Sequence, residues 1–307
     1  MPQLKTLALH GASPIAPPGA LLLPDVERAV TLPSLTLFEI FSTARSCGLA
    51  LAHLVLPALT SLCLIATSHR WDGSDVQKIL PYIARHAHGP QDAQPLQSVS
   101  VRSNPICADI LVWTLPDIDV ELPSHFARMA FSVRNDYWSP GTNIGVFDAM
   151  MAVLPLDSLV MLTSQDHKSP FEKQSWLRHA PRLPLLQRVR LASSAARVFL
   201  EMLLEDNGGR ESPLLPSLTE LVLVYTALSE RRTLRLCDAL MKRVEQGVPL
   251  ETLDLRTCLA TSRAVELLSE IVVVVHDSSG VEDYDEDDPD TGSDEVWDYW
   301  KIDDLTI

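Results

Sequence analysis

The stretch Pro216-Ser217-Leu218-Thr219-Glu220-Leu221-Val222-Leu223 decides how this chain is read. Its leucines are spaced by three and then by two. The last two alternate with their neighbours, the period-two mark of a strand with one buried face. The proline in front cannot donate a backbone hydrogen bond, so it is tolerated at a strand start and discourages a helix from running into it. Close copies begin at Pro2 (Leu4, Leu7, Leu9), Pro33 (Leu35, Phe38, Ile40) and Pro57 (Leu59, Leu62, Leu64). Versions with tighter spacing begin at Pro95 (Leu96, Val99, Val101), Pro155 (Leu156, Leu159, Met161), Pro184 (Leu186, Val189, Leu191) and Pro249 (Leu250, Leu253, Leu255). A looser one runs through Phe126, Met129 and Phe131, which brings the phrases to nine.

First apolar positions fall at 4, 35, 59, 96, 126, 156, 186, 218 and 250, so the last five intervals are 30, 30, 30, 32 and 32 residues. Between phrases the chain must return, and the returns read as helices. Ser194 precedes Ala195, Val198, Phe199, Met202 and Leu203, an inward stripe closed by Asn207-Gly208-Gly209. Ser229 opens a second helix with Leu234, Cys237, Leu240, Met241 and Val244 predicted inward. Thr261 or Ser262 opens a third, with Ala264, Val265, Leu268, Ile271, Val272 and Val275 inward. Weaker helices are predicted over 143–153 and 74–87, the latter kinked or split by Pro81. A strand and a return at a fixed period predict an α/β leucine-rich-repeat solenoid, or horseshoe. Parallel strands would stack side by side on its concave face, with helices and loops on its convex face. The intervals of 24 and 37 residues near the start predict variable outer loops.

The predicted organisation is about nine irregular repeats over residues 1–276 and an acidic tail over 277–307, with disorder expected from 281 to 293. Of the net charge of −15, twelve acidic residues against one lysine between Glu282 and Asp304 put −11 in that segment and leave −4 over everything else. Trp297, Tyr299 and Trp300 either dock on the last repeat or form a short acidic-aromatic interaction segment. An acidic chain repels phosphates, so neither nucleic acid nor a membrane surface is expected as a ligand. Five cysteines, Cys47, Cys63, Cys107, Cys237 and Cys258, are widely spaced and odd in number, which predicts reduced thiols and a cytoplasmic or nuclear location. No secretory signal is visible. Cys47 to Ser68 lacks formal charge and is long enough to cross a bilayer, but its second half is a repeat strand in register, so a span is not expected.

A catalytic reading finds no support, and no enzyme activity or cofactor is expected. There is no Gly-x-Ser-x-Gly elbow, phosphate-binding loop, Gly-x-Gly-x-x-Gly or Cys-x-x-Cys. His86 and His88 lie at the end of the helix predicted over 74–87, beside Gly89-Pro90 and without ligands in register, and read as a solvated loop rather than a metal site. Asp283, Asp285, Asp287 and Asp294 match part of a calcium loop, but Asp288 and Asp294 stand where glycine and glutamate are needed, so no metal is expected.

That leaves the outward positions of the strands as the candidate site, a broad concave face for a protein partner. They are Arg128, Ser158, Val160, Arg188, Arg190, Glu220, Val222, Thr252, Asp254 and Arg256, with Ala130, Ser132, Leu162 and Val224 in the same rows. The apolar members, Val160, Leu162, Val222 and Val224, call for cover from a partner or from the chain's own loops.

The phrases at 213–223, 184–191 and 249–255, with the acidic tail behind them, resemble the leucine-rich-repeat region of fungal F-box-like proteins over about residues 1–276. The resemblance implies the substrate-recognition region of an F-box-type ubiquitin ligase subunit, its repeats holding a protein substrate. Docking on the adaptor of a cullin-RING ligase is implied only where an F-box stands upstream. Here Met1 directly precedes a repeat strand, and Leu23-Pro24-Asp25, superficially F-box-like, lies between two repeats. A scaffold or inhibitor without ubiquitin chemistry is the alternative.

Overall fold

A computed structural model describes residues 3–11, 29–57, 59–68, 76–89, 94–104, 107–116, 127–135, 142–166, 172–204 and 213–276. The nine phrases supply nine strands: β1 (Thr6–His10), β3 (Leu37–Thr43), β5 (Ser61–Ser68), β6 (Ser98–Asn104), β8 (Met129–Asn135), β9 (Met161–Asp166), β10 (Arg188–Ala192), β11 (Glu220–Leu228) and β12 (Thr252–Ala260). The sequence pattern did not announce β7 (Cys107–Trp113), β13 (Val273–Val275) or the two-residue strands β2 (Val30–Thr31) and β4 (Leu54–Val55), which pair with each other. Returns carry α1 (Ala44–Ala52), α2 (Leu80–His88), α3 (Thr142–Val153), α4 (Lys173–His179), α5 (Ser193–Leu204), α6 (Glu230–Glu245) and α7 (Ser262–Ser269). The fold is α/β, and its main sheet has eleven strands, mostly parallel and open at both ends.

The proline acts one step earlier than a strand start. Leu35 donates its N–H to Leu32 O at 3.1 Å, Leu186 to Leu183 O at 3.3 Å and Leu218 to Leu215 O at 3.1 Å, so Pro33, Pro184 and Pro216 occupy the second position of tight turns. The ring's fixed φ suits that position. Both leucines flanking these turns are buried. The copy at Pro155 obeys the turn but not the proline. Leu159 N donates to Leu156 O at 3.1 Å, which makes Leu156-Asp157-Ser158-Leu159 the turn and moves the frame by three residues. Leu162 therefore pairs in register with Val189 and lies in the core at 0% exposure, while Met161 falls opposite Arg188 on the other face.

Strand order is β1-β3-β5-β8-β7-β6-β9-β10-β11-β12-β13. The expected one-by-one stacking holds from β9 to β13 and breaks between β5 and β9. There β6, β7 and β8 form an antiparallel meander laid backwards, with β8 beside β5 and β6 beside β9. Among the described residues, the return between β6 and β8 is thus a strand.

One core cluster joins the inward strand residues, among them Phe38, Leu64, Val99, Val189, Leu221 and Leu253, to Cys47, Phe147, Met150, Phe199, Leu236 and Leu268 of the helices. The helices therefore cover a single face of the sheet. Each buried leucine is worth about 2 kcal/mol relative to exposure. In α5 the predicted face is the observed one, with Ala195, Phe199, Met202 and Leu203 buried. In α6 the frame is turned. Thr233, Leu236, Leu240 and Arg243 are buried, whereas Leu234, Met241 and Val244 stand exposed. The third predicted helix stops at Ser269, because Val273–Val275 pairs with Thr252–Asp254 as another strand. Pro81 stands in the first turn of α2, after a separate 3-10 turn at Val76–Lys78, as its missing N–H allows.

Cations lock successive helices together. Arg85 of α2 donates to Leu51 O and Leu54 O at the end of α1, Arg182 to Met151 O and Leu154 O (both 2.7 Å) at the end of α3, and Lys242 of α6 to Leu204 O (3.0 Å) at the end of α5. Positive charge at a helix C-terminus satisfies carbonyls that the helix cannot. Arg243 is 2% exposed and reaches Leu214 O, Leu215 O and Leu218 O at 3.0–3.1 Å, binding α6 to the turn before β11. Burial pushes its guanidinium down to about 10.

Candidate protein-binding surface

The face of the sheet away from the helices carries most of the candidate residues, and over β10–β12 the parallel register sets them in two rows. Arg188, Glu220 and Thr252 lie side by side, as do Arg190, Val222 and Asp254. Arg188 Nε donates to Glu220 Oε2 at 2.6 Å across adjacent strands. Arg256 holds Asp254 within its own strand, with Nη2 2.5 Å from Oδ2 and Nε about 3.0 Å from both carboxylate oxygens. Burial of Asp254 pushes its carboxyl up, but the hydrogen bonds from Arg256 and the charges of Arg256 and Arg190 outweigh this and hold it below its ordinary value. Arg190 lies two residues along β10 from Arg188 and two strands from Asp254 in the same row, and its buried Nε has no hydrogen-bond partner.

Three candidates belong elsewhere. Ser158 sits in the turn before β9, where its hydroxyl donates to Leu96 O at 3.1 Å. Val160 precedes β9 and offers its carbonyl to the N–H groups of both Gln187 and Arg188. Met161 and Thr163 take the outward positions of β9, at 5% and 3% exposure. Arg128 immediately precedes β8, and β7, β6 and β9 intervene between that strand and β10, a separation of about 19 Å at ~4.8 Å per strand. Burial lowers its pKa.

The middle of this face is closed to solvent. Ser98, Ser100, Trp113, Ala127 and Ala130 are all under 9% exposed, and Trp113, Ala127 and Ala130 form a second small apolar cluster with Cys63 and Leu111. Val224 is buried at 3%, while Val222 is half-buried. Beyond this closed middle the face is more accessible on both sides: Arg188, Arg190, Glu220, Val222 and Thr252 are half-buried and Arg256 exposed on β10–β12, and Thr6, Ala8, His10 and Phe41 are exposed on β1 and β3. The β11–β12 register shifts twice, between Val222 and Val224 and between Val224 and Ala227. Tyr225 sits in that irregularity at φ +50° and 60% exposure. A bulky residue in the left-handed region is strained, and such strain gathers at functional positions. Nothing in the sequence around Tyr225 signals its backbone angle.

His86 is in α2 and not in a solvated loop. It is 8% exposed and its Nε2 donates to Thr60 O at 2.9 Å, while His88 stands exposed. Burial, followed by the charge of Arg128, pushes the His86 imidazole down to about 4. His179 Nε2 meets Asp148 Oδ1 at 2.8 Å between α3 and α4, and Asp148 also pairs with Arg178. The five cysteines are free thiols, and burial pushes Cys47 up to about 12 and Cys258 to about 11.

Among the described residues no group of three or more His, Cys, Asp or Glu is placed to hold a metal ion. Asp283, Asp285, Asp287 and Asp294, like Leu23-Pro24-Asp25 and the aromatic tail, lie outside the described residues. No described helix is long and apolar enough to cross a membrane, and the uncharged stretch Cys47–Ser68 is divided between α1, β4 and β5. No family model, curated protein or solved structure matches the chain.

Proposed function

We propose that this chain is a protein-interaction module, a leucine-rich-repeat solenoid that grips a partner with the outward face of β10–β12. The observation that carries the reading is Arg190, a half-buried cation near two ion pairs that already satisfy their own members, with no hydrogen-bond partner for its Nε. A charged group held there gains from an acceptor brought by another molecule. Tyr225, exposed on the bulged edge of the same region, has the size and stiffness of an interface anchor. Thr252, Glu220 and Val222 complete a contact surface of mixed character, as interfaces between proteins commonly have. Within this reading, the likeness to F-box-like repeats favours substrate recognition for a ubiquitin ligase in the cytoplasm or nucleus. A scaffold or inhibitor acting through the same face is the second form, with no ubiquitin role.

Arg190→Glu tests the surface. Affinity capture followed by mass spectrometry is expected to lose, in the variant, partners that the parent retains, with the fold kept in circular dichroism at a modest loss of thermal stability, since the new carboxylate replaces a charge that favours ionised Asp254. An identical partner set for parent and variant would remove β10–β12 as the contact. A ligase adaptor and cullin among the partners of the native-length product would select the first form, and their absence the second.

A further inference from the structure

The flank of α6 that faces α7 carries Leu234, Cys237, Met241 and Val244, spaced by three, four and three residues on one side of the helix. Leu234, Met241 and Val244 are 51%, 45% and 43% exposed. Elsewhere a helix of this sheet is sheltered on that side by the next: α5 packs against α6 and α4 against α5. At α6 the sequence of cover fails on length. α6 has 16 residues, about 24 Å at 1.5 Å per residue, whereas α7 has eight and spans half of that. A repeat array needs its last apolar edge capped, and α7 is too short to do it.

We propose that the cap is the chain's own terminal segment, residues 296–307, docked along this flank of α6. Its sequence holds Val296, Trp297, Tyr299, Trp300, Ile302, Leu305 and Ile307, an apolar and aromatic concentration behind a strongly acidic stretch. The chain leaves the sheet at β13, beside β12 and under α7, so it emerges at the end where the cover is missing. Nineteen residues, 277–295, separate that exit from Val296. A neutral flexible coil of that length spans about 25 Å, and the ten acidic residues among these nineteen repel one another and extend it further, so it reaches along α6. Tethering at this distance supplies an effective concentration in the millimolar range, so a contact of a few side chains suffices. The thioether of Met241 and the indoles of Trp297 and Trp300 are suited to each other. The proposal stands on helix lengths and exposures and does not depend on the protein-binding reading of the opposite face.

Hydrogen exchange by mass spectrometry on the intact chain tests it, with Met241→Lys and the double variant Trp297→Ala/Trp300→Ala beside the parent. The expected result is that amides of 296–307 exchange at least tenfold slower in the parent than in either variant, and that 1 M salt leaves this protection in place. Free-chain exchange of the segment in the parent would overturn the proposal. So would protection that survives Met241→Lys, which would place the segment elsewhere, or protection lost in salt, which would make the contact one of acidic residues. A parent dimer in light scattering that Met241→Lys splits and the tryptophan variant leaves intact would assign the flank to a second copy. The melting temperature of Met241→Lys is expected to stay near the parent's, since Met241 is half exposed.

Discussion

Strands β9 to β12 and strands β5, β6 and β8 are built from the same phrase and assembled differently. In the first group each repeat contributes one strand and one helix, and each new strand lies beside the last. In the second, the chain leaves β5, skips two places, and fills them backwards with β7 and β8. The core records the difference. A small apolar gap of about 10 Å³ lies among Leu62, Ile83, Ile110, Val112, Phe131 and Met150, where the reversed meander meets α2 and α3. Its lining offers water no hydrogen bonds, so it stays dry. On the outward side the reversed region is closed by its own apolar cluster, and the regular region carries half-buried and paired charges, with Arg256 exposed. An identical period thus serves packing in one place and presentation in the other.

The largest expected effect is in the regular half. Leu221 is 1% exposed in the continuous core, and Leu221→Asp places a carboxylate there, at a cost of about 3 kcal/mol or more in chemical denaturation. Unchanged stability would mean that the β11 frame is wrong.

Next comes pH, which should divide the two regions. His86 is held neutral at the edge of the reversed region, its pKa lowered to about 4. An unfolded chain takes up that proton near pH 6.5 and the folded one does not, so stability is full above this and declines as pH falls toward 4. The loss reaches about 3 kcal/mol at the lower end. His179, lowered by burial against the attraction of Asp148, acts in the same direction. Hydrogen exchange at pH 5 is expected to speed up in β5 and α2 before β10–β12, and His86→Gln to flatten the difference. Uniform loosening across the sheet would contradict it.

The smallest effect is one of sign. Val112→Ile adds a methylene beside the gap and is expected to change stability by under about 1 kcal/mol, if anything upward, whereas Val189→Ile overfills a closed core and costs about 1–3 kcal/mol. Equal penalties would show that the two cores are packed alike.

Much of the regular half was legible because its signals are local. Leu218, Leu221 and Leu223 declare a buried face, and Ala195, Phe199 and Met202 declare a helix, whatever lies beside them. The reversal was not legible, since a 30-residue interval accommodates a helix or an antiparallel strand equally well. Cys107 to Trp113, an apolar run directly after Ser103-Asn104-Pro105, was the available sign of a hairpin. The frame at 156–162 was lost to Pro155, which imitates the turn proline of other copies while the actual turn runs from Leu156 to Leu159. In α6 the exposed Leu234, Met241 and Val244 outweighed the true inward residues, because Arg243 is buried against carbonyls that no local pattern reveals. Of the candidate site, the rows on β10–β12 follow from strand alternation alone. Ser158 and Val160 fell with the misread frame, and Tyr225 was invisible because backbone angle is not written in residue type.

The order of strands is the claim on which both regions depend, and two single cysteine substitutions test it directly. Cys63 on β5 pairs in register with Ala130 on β8, so Ala130→Cys brings two thiols onto neighbouring strands at a spacing a disulfide can bridge. Ser100 on β6 would hold that place if the strands stacked in chain order, but here β8 and β7 separate it from Cys63. Under mild oxidation, peptide mapping is expected to find Cys63 crosslinked to the introduced thiol in Ala130→Cys, and to find no such crosslink from Cys63 in Ser100→Cys. The opposite pair of results would contradict the reversed meander and return the sheet to simple stacking.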